Sequence, residues 1–188
     1  FGTTSIIAAQ DDKVISAATV SMHAPEESSF HRSVAPPSVG TPDDATPTDN
    51  VMMPFDIRVV NGVDLGAKAI GPPTYEMWLR ADVPADAPLS THQALLAHST
   101  DLTIIGTALR PFEGMSQADS TVSLHTAVTS HSLWFHQPFV LNDWLLIAQE
   151  APIVAGGRAF GRGDVFNAGG EIVASFAQES MIRSITTK

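Results

Sequence analysis

Ser90 to Leu109, STHQALLAHSTDLTIIGTAL, is the longest helical period in a chain whose other apolar runs read as strands. That imbalance restricts the fold. One helix has one apolar stripe to bury, and a sheet is the element available to cover it, which makes an α+β arrangement. Leu95, His98, Leu102, Ile105 and Leu109 recur at three- and four-residue steps and mark the expected buried face. Ser90 or Thr91 is the expected cap at its start. Asp101 interrupts the helix chemically. Its surface neighbours at helical spacing are Ala94, Ala97, His98, Ile104, Ile105 and Ala108, with no Lys or Arg among them. A carboxylate in such company is costly to desolvate. Two readings are open: a rim carboxylate, wet or paired with His98, or a functional acid.

The strand runs surround this helix in the sequence. Thr3 to Gln10, a turn at Asp11-Asp12, and Val14 to Met22 read as a β-hairpin. Residues 23 to 54 are dense in Pro, Ser, Thr, Asp and Glu and carry no core pattern. Strands are expected over Phe55 to Asn61, Tyr75 to Ala81, Val122 to Phe135, Trp144 to Ala151, Arg158 to Phe166 and Ile172 to Ile185. Asn142-Asp143, Gly156-Gly157 and Gly169-Gly170 punctuate the last four, which read as an antiparallel meander. The first and last hairpins share a weak pattern, a charge after the turn, then two aliphatics, then small residues. If this is a duplication, Gln178 in the last strand matches Val20 in the first.

Composition removes several functions. Twenty Asp and Glu against ten Lys and Arg leave a formal net charge of −10, which repels nucleic-acid backbones and anionic lipid surfaces. No nucleic-acid or membrane partner is expected. The absence of cysteine excludes disulfides and cysteine zinc sites and is compatible with a reducing compartment. No apolar run approaches the roughly 20 residues of a membrane span. FGTTSIIAAQ at the start lacks the basic region and cleavage site of a signal peptide, so a cytoplasmic location is expected. No G-x-S-x-G elbow and no glycine-rich phosphate loop before a helix occur. The Gly/Arg clusters at 156–158 and 161–163 read as tight turns or as phosphate contacts. His131 and His136 lie five apart, on opposite faces of a regular strand, so no metal site and no cofactor is expected. Trp134 and Phe135 between them read as core. Gln178 is a strand glutamine able to hold a water or a carbonyl oxygen, or simply to face solvent.

Three separated texts, LLAHSTDLTIIGTALRP, HSLWFHQPF with NDWLLIAQEAP, and GEIVASFAQESMIR, resemble the type II acyl-CoA thioesterases in order and content. The resemblance runs from about Asp56 to Arg183 and implies a double hot-dog fold, in which each repeat is a long helix wrapped by a curved antiparallel sheet. It implies residues 1–33 as the end of a first repeat, 34–52 as a flexible linker and 53–188 as a complete hot-dog domain. It implies hydrolysis of acyl-CoA to fatty acid and CoA, with the family's helix aspartate at Asp101 and its last-strand glutamine at Gln178. The family's third member, a Ser or Thr, falls on Val128. Thr126 and Ser130 share a face with Val128 on a regular strand, Thr129 only with a bulge, and Ser130 is the expected substitute. A homo-oligomer is expected, because hot-dog sheets commonly join across subunits. The rival readings are a non-catalytic acyl-CoA-binding protein, motivated by Val128, and an enoyl-CoA hydratase. The hydratase needs a His five residues after the aspartate, where this chain has Gly106.

Overall fold

The computed structural model describes residues 1–49, 52, 55–84 and 86–185. They divide into two compact units, Phe1–Arg32 and Ser33–Lys188. The first unit is an antiparallel hairpin of β1 (Gly2–Gln10) and β2 (Lys13–Met22), with a register shift between Ala8 and Ala9. Asp11 and Asp12 both take positive φ, 49° and 60°, which is the backbone of a tight hairpin turn that aspartate tolerates. Every residue of both strands is exposed.

The second unit carries seven described strands: β3 (Thr46–Thr48), β4 (Asp56–Val59), β5 (Thr74–Arg80), β6 (Leu124–Phe135), β7 (Leu145–Ala155), β8 (Arg158–Phe166) and β9 (Ile172–Ser184). They form one antiparallel sheet in the order β3-β4-β5-β7-β8-β9-β6. The expected meander therefore holds only for β7, β8 and β9. β6 crosses to the far side and pairs with β9, while β7 pairs with β5. Tyr75, Met77 and Leu79 share one face of β5 by their period of two, and all three are buried. With Leu145, Ile147, Val165, Val173 and Phe176 they make the sheet side of the core. Leu96 and Ile104 complete it from the helical layer.

The segment expected as a flexible linker is built into this unit where it is described. β3 pairs with β4, Ala45 is buried, and Arg58 donates to Pro42 O and to the Asp43 carboxylate. Ser33 Oγ accepts from the backbone of Ile172. A Pro-rich segment lacks the period of a core strand, yet Pro47 is tolerated here because β3 is an edge strand. The expected boundary between 52 and 53 touches Met53, which lies outside the described residues.

The long helix is two helices, α1 (Leu89–Thr100) and α2 (Ile104–Leu109). Pro88 stands at the cap position of α1, with no side-chain cap from Ser90 or Thr91. The buried face is also not the expected one. His92, Leu96, Ser99, Thr100, Thr103, Thr107 and Ala108 are buried, His98 is exposed, and Leu95, Leu102 and Ile105 are half-buried. Leu109 alone of the expected set is fully buried. Hydroxyls can occupy this face because they are satisfied within the helices. Ser99 donates to Leu96 O, Thr100 to Ala97 O and Thr107 to Thr103 O. Gly161 on β8 lets α2 come close, since a Cβ there would lie 2.6 Å from Ile104.

Candidate active site

Asp101 follows the last residue of α1 and keeps right-handed helical angles, φ −79° and ψ −23°, before the chain reorients at Thr103. It is half-buried at this break. The pairing with His98 does not form through Nε2, which meets the carbonyl of Met52 at 2.8 Å.

The residue before Asp101 opens a buried polar chain. Thr100 Oγ1 lies 3.1 Å from Nε2 of His131, on β6. Nδ1 of the same ring lies 3.1 Å from Oε1 of Gln178, on β9. Gln178 Nε2 donates to Ser180 Oγ at 3.0 Å. Thr100 and Ser180 are fully buried and Gln178 is 1% exposed. Because an amide oxygen only accepts, Nδ1 of His131 carries the proton that binds it. Nε2 then faces the Thr100 hydroxyl, whose single proton serves either this nitrogen or Ala97 O. So the fold links the last strand, through an edge-strand histidine, to the helix end that holds Asp101.

Ser130 is not part of this chain. A bulge at Thr129 separates the pairs Val128–Ser180 and Ser130–Glu179. One extra residue shifts side-chain parity, so Ser130 stands opposite Glu179, on the face turned away from Gln178. The extra residue itself, Thr129, spends its hydroxyl on the Glu179 carbonyl at 3.0 Å. Val128 keeps the face of Gln178 and stands directly across from Ser180, though it is itself exposed. A hydroxyl is therefore present beside Gln178, but it comes from β9. His131 had drawn notice only as a metal ligand, and among the described residues no three metal-ligating side chains converge. The signal that could have found it is parity, since a bulge at 129 puts His131 on the face of Gln178. His136 faces the other way and meets Ser175. Trp134 and Phe135, expected in the core, are 53% and 38% exposed. The Gly/Arg clusters serve turns and ion pairs: Gly156 and Gly157 have φ 59° and 75°, Arg158 pairs with Glu179, and Arg162 pairs with Glu150.

A second buried amide, Gln149 on β7, meets the same helix break from far away in sequence. Thr103 Oγ1 donates to Gln149 Oε1 at 3.0 Å, and Gln149 Nε2 donates to Thr107 Oγ1 at 2.6 Å. This loop of bonds closes on the first turn of α2. A cleft of about 540 Å³ reaches the same break, lined by Ile57, Val63, Leu65, Tyr75, Met77 and Thr103 among others. Burial, with the Asp64 carboxylate adding to it against the opposing Arg110, pushes the Tyr75 phenol up to about 12, so it is a neutral wall at physiological pH.

Residues 31–182 match the family model described as the acyl-CoA thioesterase C-terminal domain. The chain belongs to the acyl-CoA thioesterases. It is 32% identical over 205 aligned residues to acyl-CoA thioesterase 2 of Haemophilus influenzae, covering 97% of this chain and 69% of that protein. Among solved structures it resembles the acyl-CoA thioesterase II TesB2 of Mycobacterium marinum, with TM-score 0.79, 29% identity, and coverage of 98% of this chain and 69% of that one. A protein of hot-dog fold from Alicyclobacillus acidocaldarius aligns at TM-score 0.74 and 18% identity, over 98% of this chain and 68% of that one, and supports the fold alone. The fold is thus the hot-dog arrangement of an enzyme family of thioester hydrolases, and the chain spans roughly two thirds of these relatives' length.

Proposed function

We propose that this protein hydrolyses acyl-CoA thioesters to a fatty acid and CoA, with Asp101 as general base and Gln178 holding the attacked carbonyl or its water. The observation that carries this reading is the buried chain that ties Gln178 through His131 to Thr100, one residue before Asp101. In the reaction Asp101 takes a proton from water, whose oxygen adds to the thioester carbonyl. The tetrahedral intermediate expels CoA as thiolate, which recovers a proton, and the fatty acid leaves as carboxylate. Amide N–H donors stabilise the oxyanion as it forms. The cleft beside Thr103 offers an apolar wall for the acyl chain.

Ser130 has no part in this mechanism, for the reason of parity given above. The reading also takes residues 1–33 as the end of a preceding hot-dog repeat. Its hairpin exposes Ile6, Ile7, Val14 and Ile15, apolar surface that the rest of such a repeat covers, and a homo-oligomer belongs to the same reading. A cytoplasmic location belongs to the same reading; among the described residues no helix is long and apolar enough to cross a membrane.

The test is release of free thiol from acyl-CoAs of graded chain length by the wild type and by Asp101→Ala. The wild type turns over at least one of them and D101A loses at least about a hundredfold in kcat. Equal turnover by D101A ends the assignment. Tight acyl-CoA binding by the wild type without any turnover favours the binding protein that Val128 suggests.

A further inference from the structure

The geometry points to Ser180 and His131 as a pair of positioning residues that clamp the Gln178 amide in one orientation, with Ser180 supplying from β9 the hydroxyl that Val128 lacks on β6. This rests on the proposed reading of Gln178 and assigns the groups that make it work. A primary amide has one acceptor oxygen and two N–H donors. Here the oxygen faces His131 Nδ1 at 3.1 Å, and one N–H is given to Ser180 Oγ at 3.0 Å. The contact with Ser180 is buried and that with the half-buried His131 partly so, and a misdirected polar group is costly there. The amide cannot flip without facing its NH2 to a ring N–H. One N–H remains, and it is the donor left for the thioester oxygen or the attacking water.

Ser180 is able to hold its end because of where it sits. It follows Gln178 by two residues on β9, so the two side chains share a face. It stands directly across the strand pair from Val128, so the hydroxyl has changed strands without leaving the site. His131 holds the other end from β6. Its ring is itself held at Nε2 by Thr100, which couples the amide's orientation to the end of α1.

The test uses the full-length protein and saturating acyl-CoA. S180A and H131A each lower kcat about tenfold, the worth of one buried hydrogen bond, with KM within twofold. H131N recovers most of what H131A loses, because its side-chain amide puts a donor where Nδ1 stood. In an S180A background, Val128→Ser restores kcat, since a hydroxyl at 128 faces the same amide. In a Q178A background, S180A costs nothing more. The clamp alone is overturned if Q178A is slow while S180A and H131A match the wild type, or if S180A adds its full loss to Q178A, or if H131N is as slow as H131A. A Q178A enzyme as fast as the wild type overturns the clamp together with the reading of Gln178. If S180A does not fold, V128S/S180G carries the same rescue test against S180G.

Discussion

Two buried glutamines lie beneath the helix break, and they are wired differently. Gln149 on β7 gives both ends of its amide to one short helix: its oxygen accepts from Thr103 and its nitrogen donates to Thr107. Thr107 in turn donates to Thr103 O, so the loop closes on itself. Gln178 on β9 gives its ends to two different strands, and its chain runs on through His131 to Thr100, beside Asp101. Both side chains are almost wholly buried, so burial does not separate them. A closed loop of bonds fastens α2 to the sheet. Each amide keeps one further N–H, but the chain of Gln178 ends beside a half-buried carboxylate, where that donor can serve a reacting group.

The sharpest way to break this contrast is in turnover. Because Asp101 and Gln178 act on one water and one carbonyl, their losses do not add. The double variant D101A/Q178A falls by about the same hundredfold or more as D101A alone, within about threefold, when kcat is followed by thiol release. Full multiplication of the two losses would mean that the residues act separately. Next in size is the stability of the other amide. Q149A takes the acceptor from the Thr103 hydroxyl and a donor from Thr107, which keeps its bond to Thr103 O, and costs about 1–3 kcal/mol, lowering Tm by roughly 2–12 °C for a domain of this size. Calorimetry measures that drop, while kcat well below Tm stays within about twofold.

The lesson about reading the sequence lies in the same few residues. The presence of a helix at 90–109 and the strand runs at 124–135 and 158–166 were legible, because apolar period and glycine turns are local signals. Its break at 101–103 and its buried face were not. Ser99, Thr100 and Thr107 look polar in a pattern of hydropathy, yet Ser99 and Thr107 spend their hydroxyls on their own helices, Thr100 divides its between Ala97 O and His131, and all three can be buried. Asp101 stands out in the sequence as a carboxylate on an apolar helix surface, and Gln178 as a strand amide able to hold a water or a carbonyl oxygen. The third hydroxyl could not be placed from the text alone, because one bulged residue, Thr129, reverses the face of everything before it relative to everything after. The position of β6 beside β9 was equally hidden, since strand order depends on contacts far apart in sequence.

Smaller effects sharpen these points. S130A, on the face turned from Gln178, leaves kcat within about twofold, whereas a large loss would return Ser130 to the site. Asp119 is held below the ordinary carboxylate range by the bond from Lys68 first, and also by bonds from Ser123 and Ser116. A lowered folded value stabilises above the unfolded carboxylate range and is lost as pH falls through the folded one. D119N therefore lowers Tm at neutral pH and flattens its decline on acidification, as a Tm series from pH 7 to pH 3 reads directly. A D119N protein with the wild-type acid limb would remove Asp119 from that balance.

The most direct measurement of the central claim is the ratio of kcat between Q149A and Q178A, taken by thiol release from one acyl-CoA at a temperature where both are fully folded. A ratio of at least about a hundred is expected, because removing a donor to the developing oxyanion costs that much and removing a structural amide does not. Equal turnover by the two variants would contradict it.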